Sequence, residues 1–412
     1  MEPRVATTGP GAALRLIRSR DFGPYFFGNA LSASGTWFQN LAASLLVFRL
    51  THSALLLGVL NFGQFIPVLV LAPWAGSAAD RLDRRKLLFV TQVAATALSG
   101  VLAALAWSGQ AGAWTVIGFG LALGVTSAFS APASQALIAS LVPASDLASA
   151  VALNSMTFNL ARAIGPALAA LSVRKLGIPA SFAINSASYV LLAGALVIVR
   201  PREQRRATRE SSRLRESWTL VRQKPELLGF LLVVTAVGFA SDPVNTEAPA
   251  FAHAFGRPDT DAGWIIGAFG AGAVAAAFLF AGRVAASRRR LTLTLSLLGG
   301  GIAAFALSPW LWLAFPLLHV AGFGYLSSNT AATSRLQLGV EEHQRGRIMA
   351  LWSVAFLGLR PFASLADGGI ADLAGVRAAG VALAVPTLVL AASCFAGRDG
   401  WATRSNGMLP VS

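Results

Sequence analysis

The sequence predicts an all-α polytopic membrane protein with twelve transmembrane helices, arranged as two pseudo-symmetric six-helix bundles. Of the 412 residues, 55% are hydrophobic and only 12% are charged, whereas a soluble domain carries about 25% charged residues. Residues 87–145 form a run of 59 residues without a charged side chain. A spanning helix needs roughly 20 apolar residues, so this run alone holds two spans. The chain has too little polar surface to face water all round.

Twelve apolar segments follow one another along the chain. They lie at 24–48, 54–79, 87–107, 113–142, 147–172, 178–199, 227–254, 261–286, 291–308, 310–338, 347–373 and 377–396. The longest polar gap, 200–226, follows the sixth segment. We therefore expect an N-terminal bundle over 1–199, a cytoplasmic linker over 200–226 and a C-terminal bundle over 227–412.

The distribution of Lys and Arg predicts the orientation of these segments. With a cytoplasmic N-terminus, the inner segments hold 26 of the 33 basic residues, as the positive-inside rule requires. We therefore expect both termini in the cytoplasm and the spans in the inner or plasma membrane. The net charge of +15 then follows from topology and from attraction to anionic lipid. A nucleic-acid partner is not needed to explain it.

The two halves also repeat one another. A shift of 198 places Arg162 on Arg360, and a shift of 205 places Arg84-Arg85 on Arg289-Arg290. Paired arginines inside predicted spans are not expected by chance in so apolar a chain. A duplicated bundle with a site between its halves is the architecture of a secondary transporter.

A short charged segment separates the second and third spans. Six of the seven residues from Asp80 to Lys86 are charged. A positive-inside anchor needs only the bases, so the two acids, Asp80 and Asp83, indicate a second role for this loop.

This loop and its position resemble the major facilitator superfamily of transporters. Its signature, G-x-x-x-D-R-x-x-R-R, is matched by Gly76, Asp80, Arg81, Arg84 and Arg85. The resemblance implies that the loop helps to hold the cytoplasmic side closed, with its acid meeting the partner half near the start of the eleventh helix. A carboxylate near a helix N-terminus is favoured by the helix dipole. The second copy, at 282–291, lacks the acid, so we expect only the first loop to act as a gate.

Three further segments, at 18–37, 130–143 and 150–170, are similar to the exporter branch that includes the enterobactin exporter and related drug-efflux proteins. Gly165 and Pro166 are similar to the antiporter motif of drug:proton exchangers, although Ala169-Ala170 replaces its glycines. The fourth span has no ionisable residue, where this branch carries an arginine. The resemblance implies proton antiport.

Five ionisable residues fall inside predicted spans: Arg162, Asp242, Glu247, Arg360 and Asp367. A lone charge at the bilayer centre costs roughly 2.5–3.5 kcal/mol, so each requires a partner or a water-filled cavity. At ~1.5 Å per residue, three of them (Arg162, Asp242 and Arg360) lie roughly 20 Å along their helices from the inner end. We expect these five side chains to bind substrate or to couple transport to an ion.

The sequence leaves alternatives open for each of these residues. The paired arginines either line a common cavity or lock helices together. Asp367 has three possible roles: it belongs to the transport pathway, it is the counter-ion of Arg360, or it lies at a helix end in contact with water. Asp242 precedes Pro243, which interrupts backbone hydrogen bonding, and an interrupted helix in a membrane is buried in protein or lines a cavity. We expect Asp242 to face the cavity as the coupling carboxylate, and Glu247 either to do so or to lie at the interface.

The first span is unusually polar. Asn29, Ser32, Thr36 and Gln39 follow helical spacing, so they share one face. Asn29 and Gln39 are therefore candidates for hydrogen bonds to a ligand or to water. A polar seam between packed helices is the alternative.

Motifs for enzymatic chemistry do not occur in the sequence. It lacks G-x-x-x-x-G-K-[ST], H-E-x-x-H and G-x-S-x-G, and its one cysteine excludes C-x-x-C. We expect no catalytic residue, cofactor or metal site. The favoured function is a monomeric, proton-coupled exporter of a small amphipathic compound, drug-like or siderophore-like, that works by alternating access. An importer of a small metabolite with the same fold and a non-transporting receptor or scaffold are the alternatives.

Overall fold

Helices supply the regular structure in the part of the chain that the computed structural model describes: residues 10–202, 221–222, 224–279, 288–341 and 344–396. In chain order they are α1 (Pro10–Ile17), α2 (Gly23–Thr51), α3 (Ala54–Arg81), α4 (Arg84–Trp107), α5 (Ala113–Leu141), α6 (Leu147–Leu176), α7 (Ile178–Ile198), α8 (Pro225–Thr246), α9 (Ala248–Ala254), α10 (Ala262–Leu279), α11 (Arg288–Leu307), α12 (Leu311–Leu338), α13 (Arg345–Ser353), α14 (Arg360–Ala374) and α15 (Val376–Ala396).

The predicted fold class is confirmed. Each of the twelve predicted segments contains a helix, and segment 113–142 corresponds to α5 at Ala113–Leu141. Within the described residues, ten helices are long and apolar enough to cross a membrane, and the bent helix α6 makes eleven. Helix α2 is not among them, although its 29 residues are long enough to span, because it carries the polar side chains noted above.

A bend in α6 lies beside Arg162. The two parts of this helix, Leu147–Arg162 and Ile164–Leu176, meet at 42°. Pro166 lies four residues after Arg162 and has no N–H to donate to its carbonyl group, and its ring crowds that carbonyl. The bend therefore has a local cause. The backbone hydrogen bond that the Arg162 carbonyl would accept in a regular helix is missing there.

The arginine of the second repeat also follows a helix irregularity. Residues Val354–Gly358 form a π-helical turn, in which the Leu359 amide donates to the Val354 carbonyl at 3.1 Å. Arg360 then begins α14, with Pro361 next. Single π-helical turns are frequent at functional sites.

The predicted interruption near Asp242 is confirmed. Helix α8 ends at Thr246 and α9 begins at Ala248, with Glu247 at the junction. Pro243 lies inside α8, and Pro249 lies in the first turn of α9. The Glu247 amide still donates to the Pro243 carbonyl, at 3.1 Å, so the chain changes helix without losing that hydrogen bond.

One compact unit holds the described residues within 1–52, 63–207 and 260–267. Its core lies where α1, α2, α4, α5, α6 and α7 pack, and Phe22, Tyr25 and Leu137 are among its fully buried side chains. The Tyr25 hydroxyl lies 2.6 Å from Ser134 Oγ, which satisfies its polar end and joins α2 to α5.

The other compact unit holds the described residues within 53–62, 208–259 and 268–412. Helix α8 packs there with α12, α14 and α15. The N-terminal end of α3 belongs to this unit because Asp372 of α14 binds it: its carboxylate accepts from Ser53 Oγ at 3.1 Å and from the amides of Ala54 and Leu55 at 2.9 and 3.1 Å.

The expected division into 1–199 and 227–412 stays a prediction. Most of the linker, 203–220 and 223, lies outside the described residues, as do 1–9 and 397–412 at the ends and 282–287 in the second loop.

Candidate functional site

Asp242 lies in the last part of α8 and is 1% exposed. Its Oδ2 accepts a hydrogen bond from Thr246 Oγ1 at 2.9 Å, one helical turn further along. Its Oδ1 accepts from Ser364 Oγ of α14 at 3.0 Å. Two hydroxyl groups therefore hold the carboxylate in place, one from its own helix and one from a neighbour.

Arg360 is the charged partner of Asp242. Its Nε lies 3.9 Å from Asp242 Oδ1, and its side chain is 25% exposed, whereas that of Asp242 is fully buried. This distance allows electrostatic attraction but is too long for a hydrogen bond. Asp367 is thus not the counter-ion of Arg360 in this structure, one of the roles that the sequence left open for it.

Ser364 has a second acceptor within reach. Its Oγ lies 3.0 Å from Asp242 Oδ1 and 3.2 Å from the Arg360 carbonyl oxygen. A serine hydroxyl has one proton to donate, so it can serve only one of them well at a time. Rotation of the Ser364 hydroxyl would transfer its hydrogen bond from Asp242 to the Arg360 carbonyl.

Glu247 and Asp367 are both fully buried. None of their four carboxylate oxygens has a hydrogen-bond partner within the described ranges. Asp242, Asp367 and Asp372 all lie close enough to act electrostatically on Glu247. Burial excludes a wet helix end for Asp367, one of the places that the sequence left open. The depth of Glu247 in the membrane stays a prediction.

Both acids, Glu247 and Asp367, thus have vacant acceptor positions in the interior of the protein. A buried polar group without a partner is costly, and a buried charge more so. Protons or donor groups of a bound compound can occupy the vacant positions. Among the residues that the structure describes, no group of three or more His, Cys, Asp or Glu is placed to hold a metal ion. We call Asp242, Glu247, Asp367, Arg360 and Ser364 the acidic cluster.

The polar residues of the first span form a seam between helices. Gln39 is 4% exposed, and its Oε1 accepts from Ser99 Oγ of α4 at 2.7 Å and from Asn185 Nδ2 of α7 at 2.8 Å. Asn29 Nδ2 donates to Asn154 Oδ1 of α6 at 2.9 Å. For these two residues the structure shows the packing alternative. A direct role in substrate binding for them stays a prediction.

Arg162 is half-buried in α6 and belongs to the first unit, whereas Arg360 belongs to the second. The motif residues next to Arg162 serve helix packing. A Cβ atom at Gly165 would lie 2.8 Å from Trp37 Cβ, and the Pro166 carbonyl occupies the place that a Cβ of Gly263 would take.

The predicted gate loop lies at the junction of α3 and α4. Asp80 and Arg81 are exposed, and neither makes an ion pair with another residue of the described chain. Arg84 Nη1 donates to the Ala136 carbonyl at 3.4 Å, and Arg85 Nη1 donates to the Val199 carbonyl at 3.0 Å. Gly76 has no neighbour within 4 Å of an added Cβ, so close packing does not require a glycine there.

Several members of these networks were not predicted. They are Thr246 and Ser364 around Asp242, Ser99 and Asn185 around Gln39, Asn154 beside Asn29, and Asp372 at the start of α3. Thr246 lies four residues after Asp242, and Ser364 lies four after Arg360, which is the spacing of one helix face. From that spacing, Thr246 and Ser364 could have been predicted as neighbours of Asp242 and Arg360. The sequence contains no comparable indication that Gln39 contacts Asn185.

Comparison with known proteins agrees with this architecture. The pattern of the transmembrane secretion effector family matches residues 12–399. The chain is 31% identical to the staphyloferrin A transporter of Staphylococcus aureus over 40% of its own length and 43% of that protein's. It is 26% identical to macrolide efflux protein A of Streptococcus pyogenes over 54% and 56% of the two chains. The chain thus spans about half the length of these curated relatives.

A longer match joins the chain to the multidrug efflux pump Tap of Mycobacterium tuberculosis, at 24% identity over 90% of this chain and 92% of that protein. Among solved structures, the D-xylose-proton symporter superposes with a TM-score of 0.72 at 15% identity, covering 92% of this chain and 98% of that one. A bacterial homologue of the human lysosomal transporter Spinster superposes with a TM-score of 0.71 at 17% identity, over 95% and 97%.

At these identities the solved structures support the fold alone, whereas the family pattern covers nearly the whole chain. The many apolar helices agree with both. The chain is a multi-pass membrane protein and belongs to the transmembrane secretion effector family of the major facilitator superfamily.

Proposed function

We propose that the protein is a secondary transporter that exports a small amphipathic compound in exchange for protons. The observation that carries this proposal is the acidic cluster, a set of buried carboxyl groups in a membrane-spanning unit. Ionisable residues inside a membrane are expensive and mark substrate or ion pathways. The protein acts as a monomer in the cell membrane, with both termini in the cytoplasm.

Asp242 is the coupling carboxylate. Its charge is balanced by Arg360 at 3.9 Å, a distance without a direct hydrogen bond, so a proton can replace the arginine as the balancing charge. A protonated Asp242 releases Arg360, whose side chain is partly exposed. The released guanidinium then binds an anionic or oxygen-rich group of the substrate, and proton and substrate thereby favour different states, as exchange requires.

Glu247 and Asp367 extend the proton path. Both have free acceptor positions, and Glu247 lies at the junction between α8 and α9. Glu247 is the first alternative carrier if Asp242 is replaced. Arg162, the repeat partner of Arg360, lines the substrate pathway from its own half.

The relatives guide the choice of direction and substrate class. Their names describe macrolide efflux, multidrug efflux and staphyloferrin A transport, and two of the three name efflux. Arg162 and Arg360 suit an oxygen-rich or anionic compound, and the carboxyl groups suit a cationic one. We therefore place drug-like and siderophore-like compounds ahead of sugars and nucleosides.

The loop after α3 acts as the cytoplasmic gate. Asp80 has no charged partner within the described residues and stands at an exposed position, so it is free to engage one in another state. The bases beside it, Arg84 and Arg85, are attached to backbone carbonyls of their own unit.

Accumulation in everted membrane vesicles tests the function. Vesicles with an acidic lumen, and therefore an outwardly directed proton gradient, are given a labelled macrolide, a cationic dye and an anionic siderophore. An exporter accumulates at least one probe, and accumulation ends when the gradient is collapsed. Uptake by right-side-out vesicles alone would show an importer, and accumulation in neither would show a receptor or scaffold. Vesicles with Asp242→Asn serve as the matched control.

Cysteine labelling tests the place of the paired arginines. In a background with Cys394 replaced by alanine, Arg162→Cys and Arg360→Cys are exposed to a polar thiol reagent. Cavity-lining positions react from water and are protected by a transported probe. If neither position reacts, the two arginines are helix locks and not cavity residues.

A further inference from the structure

The cytoplasmic end of the first unit contains a second candidate site, separate from the acidic cluster. A cavity of about 610 Å³ lies where the start of α4, the end of α5 and the segment after α7 meet. Four arginines line it, Arg84, Arg85, Arg200 and Arg202, together with Asp80 and Asp83.

The positive charge in this cavity is not neutralised by its two acids. None of the four arginines makes an ion pair with a residue of the described chain. The carboxylate of Asp83 is engaged elsewhere, because its Oδ1 accepts from the Lys86 amide at 3.0 Å and caps α4. The lining therefore presents an excess of cationic groups to whatever fills the space.

Few of the N–H donors of these arginines are engaged in hydrogen bonds within the described part of the protein. Arg84 and Arg85 each donate one hydrogen bond to a backbone carbonyl. The Arg202 amide donates to the Ser140 carbonyl at 2.8 Å, which fixes the segment after α7 against α5. A guanidinium group has five N–H donors in a planar fork, so most donors remain available to an anion.

The surroundings of the cavity place it at the membrane surface. Val197 and Ile198, three and two residues before Arg200, are 67% and 65% exposed, and Leu82 in the cavity lining is 56% exposed. On a membrane-spanning chain, exposed apolar side chains of this kind face acyl chains. The cavity is thus apolar on its rim and cationic inside, as a lipid with an anionic headgroup requires.

We propose that this cavity binds the phosphodiester headgroup of an anionic phospholipid, with its acyl chains over Val197 and Ile198. Arginine forks match phosphate oxygens in pairs of hydrogen bonds, and basic pockets at the cytoplasmic side of membrane helices recognise anionic headgroups. Free phosphate would form the same hydrogen bonds but has no acyl chains to contact the apolar side chains at the rim. A bound headgroup would stand beside Asp80 and so connect lipid composition with the gate loop.

Binding is tested on the full-length protein in a neutral detergent. Dioctanoyl phosphatidylglycerol is titrated and bound lipid is counted by native mass spectrometry, with dioctanoyl phosphatidylcholine as the neutral comparison. The pocket variant is Arg200→Gln with Arg202→Gln, which leaves the gate loop intact. The control is Arg289→Gln with Arg290→Gln, the repeat counterpart of Arg84-Arg85, which removes the same charge from α11.

We expect the pocket variant to bind phosphatidylglycerol roughly 30-fold more weakly, since each of the two basic groups that it removes contributes on the order of 1 kcal/mol near the membrane surface. The control variant should bind as the parent does. Equal binding of phosphatidylcholine, or equal weakening in the control, would overturn the proposal. Displacement of the lipid by millimolar inorganic phosphate would assign the cavity to free phosphate and overturn the lipid assignment. Vesicle transport of the same variants is a separate measurement, so the two proposals can fail independently.

Discussion

The two units each bury a polar network, and the two networks differ in kind. Around Gln39, three neutral side chains satisfy one another, and no buried side-chain atom of Gln39, Ser99 or Asn185 lacks a hydrogen-bond partner. Around Asp242, the network contains two more carboxyl groups, Glu247 and Asp367. None of their four oxygens has a hydrogen-bond partner among the described residues. The first network is what helix packing in a membrane uses. The second is not explained by packing.

Energetics sharpen this difference. A satisfied buried hydrogen bond contributes about 0.5–1.5 kcal/mol, and an unsatisfied buried polar group costs about 1–3 kcal/mol. The Gln39 network therefore contributes to the stability of its unit, whereas the acidic cluster lowers the stability of its own. Destabilising groups persist where function needs them, which is why we place transport chemistry in the second unit.

Replacing Asp242 tests the comparison most strongly. Asp242→Asn retains the size of the side chain and removes its charge and its exchangeable proton. We expect the proton-driven accumulation ratio in everted vesicles to fall by roughly tenfold or more, within the usual range of coupling between two ligands. Downhill movement of the probe should continue, because a permanently neutral side chain still permits the conformational change.

Protein abundance and thermal unfolding of Asp242→Asn provide the control. Both should match the parent if the carboxylate serves coupling. A variant that pumps against a gradient as well as the parent would make Asp242 a structural residue and remove the distinction between the two networks.

Asp80 separates the effect of acidity from that of burial, because it is acidic but exposed. Asp80→Asn should reduce the transport rate by about threefold to tenfold, the range of a lost contact of about 0.6–1.4 kcal/mol. Insertion and abundance should stay normal, since the bases that set topology remain. The measurement is the initial rate in everted vesicles, with Asp83→Asn as the neighbouring acid for comparison. An unchanged rate would refute the gate.

Glu247→Gln and Asp367→Asn address the unsatisfied acids directly. We expect a two- to threefold lower accumulation ratio for Glu247→Gln, weaker than for Asp242→Asn, because about 0.5 kcal/mol of coupling changes a ratio by little more than twofold. Each change also removes a buried acid without a partner, so thermal stability should rise or stay equal. A clear fall in stability with normal transport would show that these acids are structural.

Gln39→Leu should have the smallest effect on transport and a clear effect on stability. It leaves Ser99 and Asn185 without their shared acceptor, which costs about 1–3 kcal/mol. The unfolding temperature in detergent should fall, and the turnover per folded molecule should stay within about twofold of the parent, since a contact of less than 0.5 kcal/mol changes a rate no further. Turnover that falls at normal stability would return Gln39 to the substrate pathway.

Much of the fold was predictable because it depends on periods and lengths along the chain. The twelve segments and the break at Glu247 follow from hydropathy and from Pro243 and Pro249, all of which act locally. The bend beside Arg162 was also accessible, since Pro166 lies four residues further on. Local rules of this kind need no knowledge of neighbouring helices.

The candidate site was predictable only in part, because its partners come from other helices. The sequence identified Asp242 and Arg360 at one depth but not Ser364 between them, although Ser364 shares a helix face with Arg360. It identified Gln39 as polar but could not show whether its partner was a ligand or Asn185, because that depends on how α2 meets α7. Burial of Glu247 likewise depends on the packing of the whole unit.

The contact of Asp372 with the start of α3 has a consequence for biogenesis. Residues 54 and 372 are separated by 318 positions, so the acceptor for the first amides of α3 is synthesised only when the chain is nearly complete. Until then those amides, like all first-turn amides of a helix, have no acceptor within their own helix. The second unit therefore closes late in synthesis, and a chain that stops before α14 leaves the beginning of α3 without this acceptor while α3 is already in the membrane.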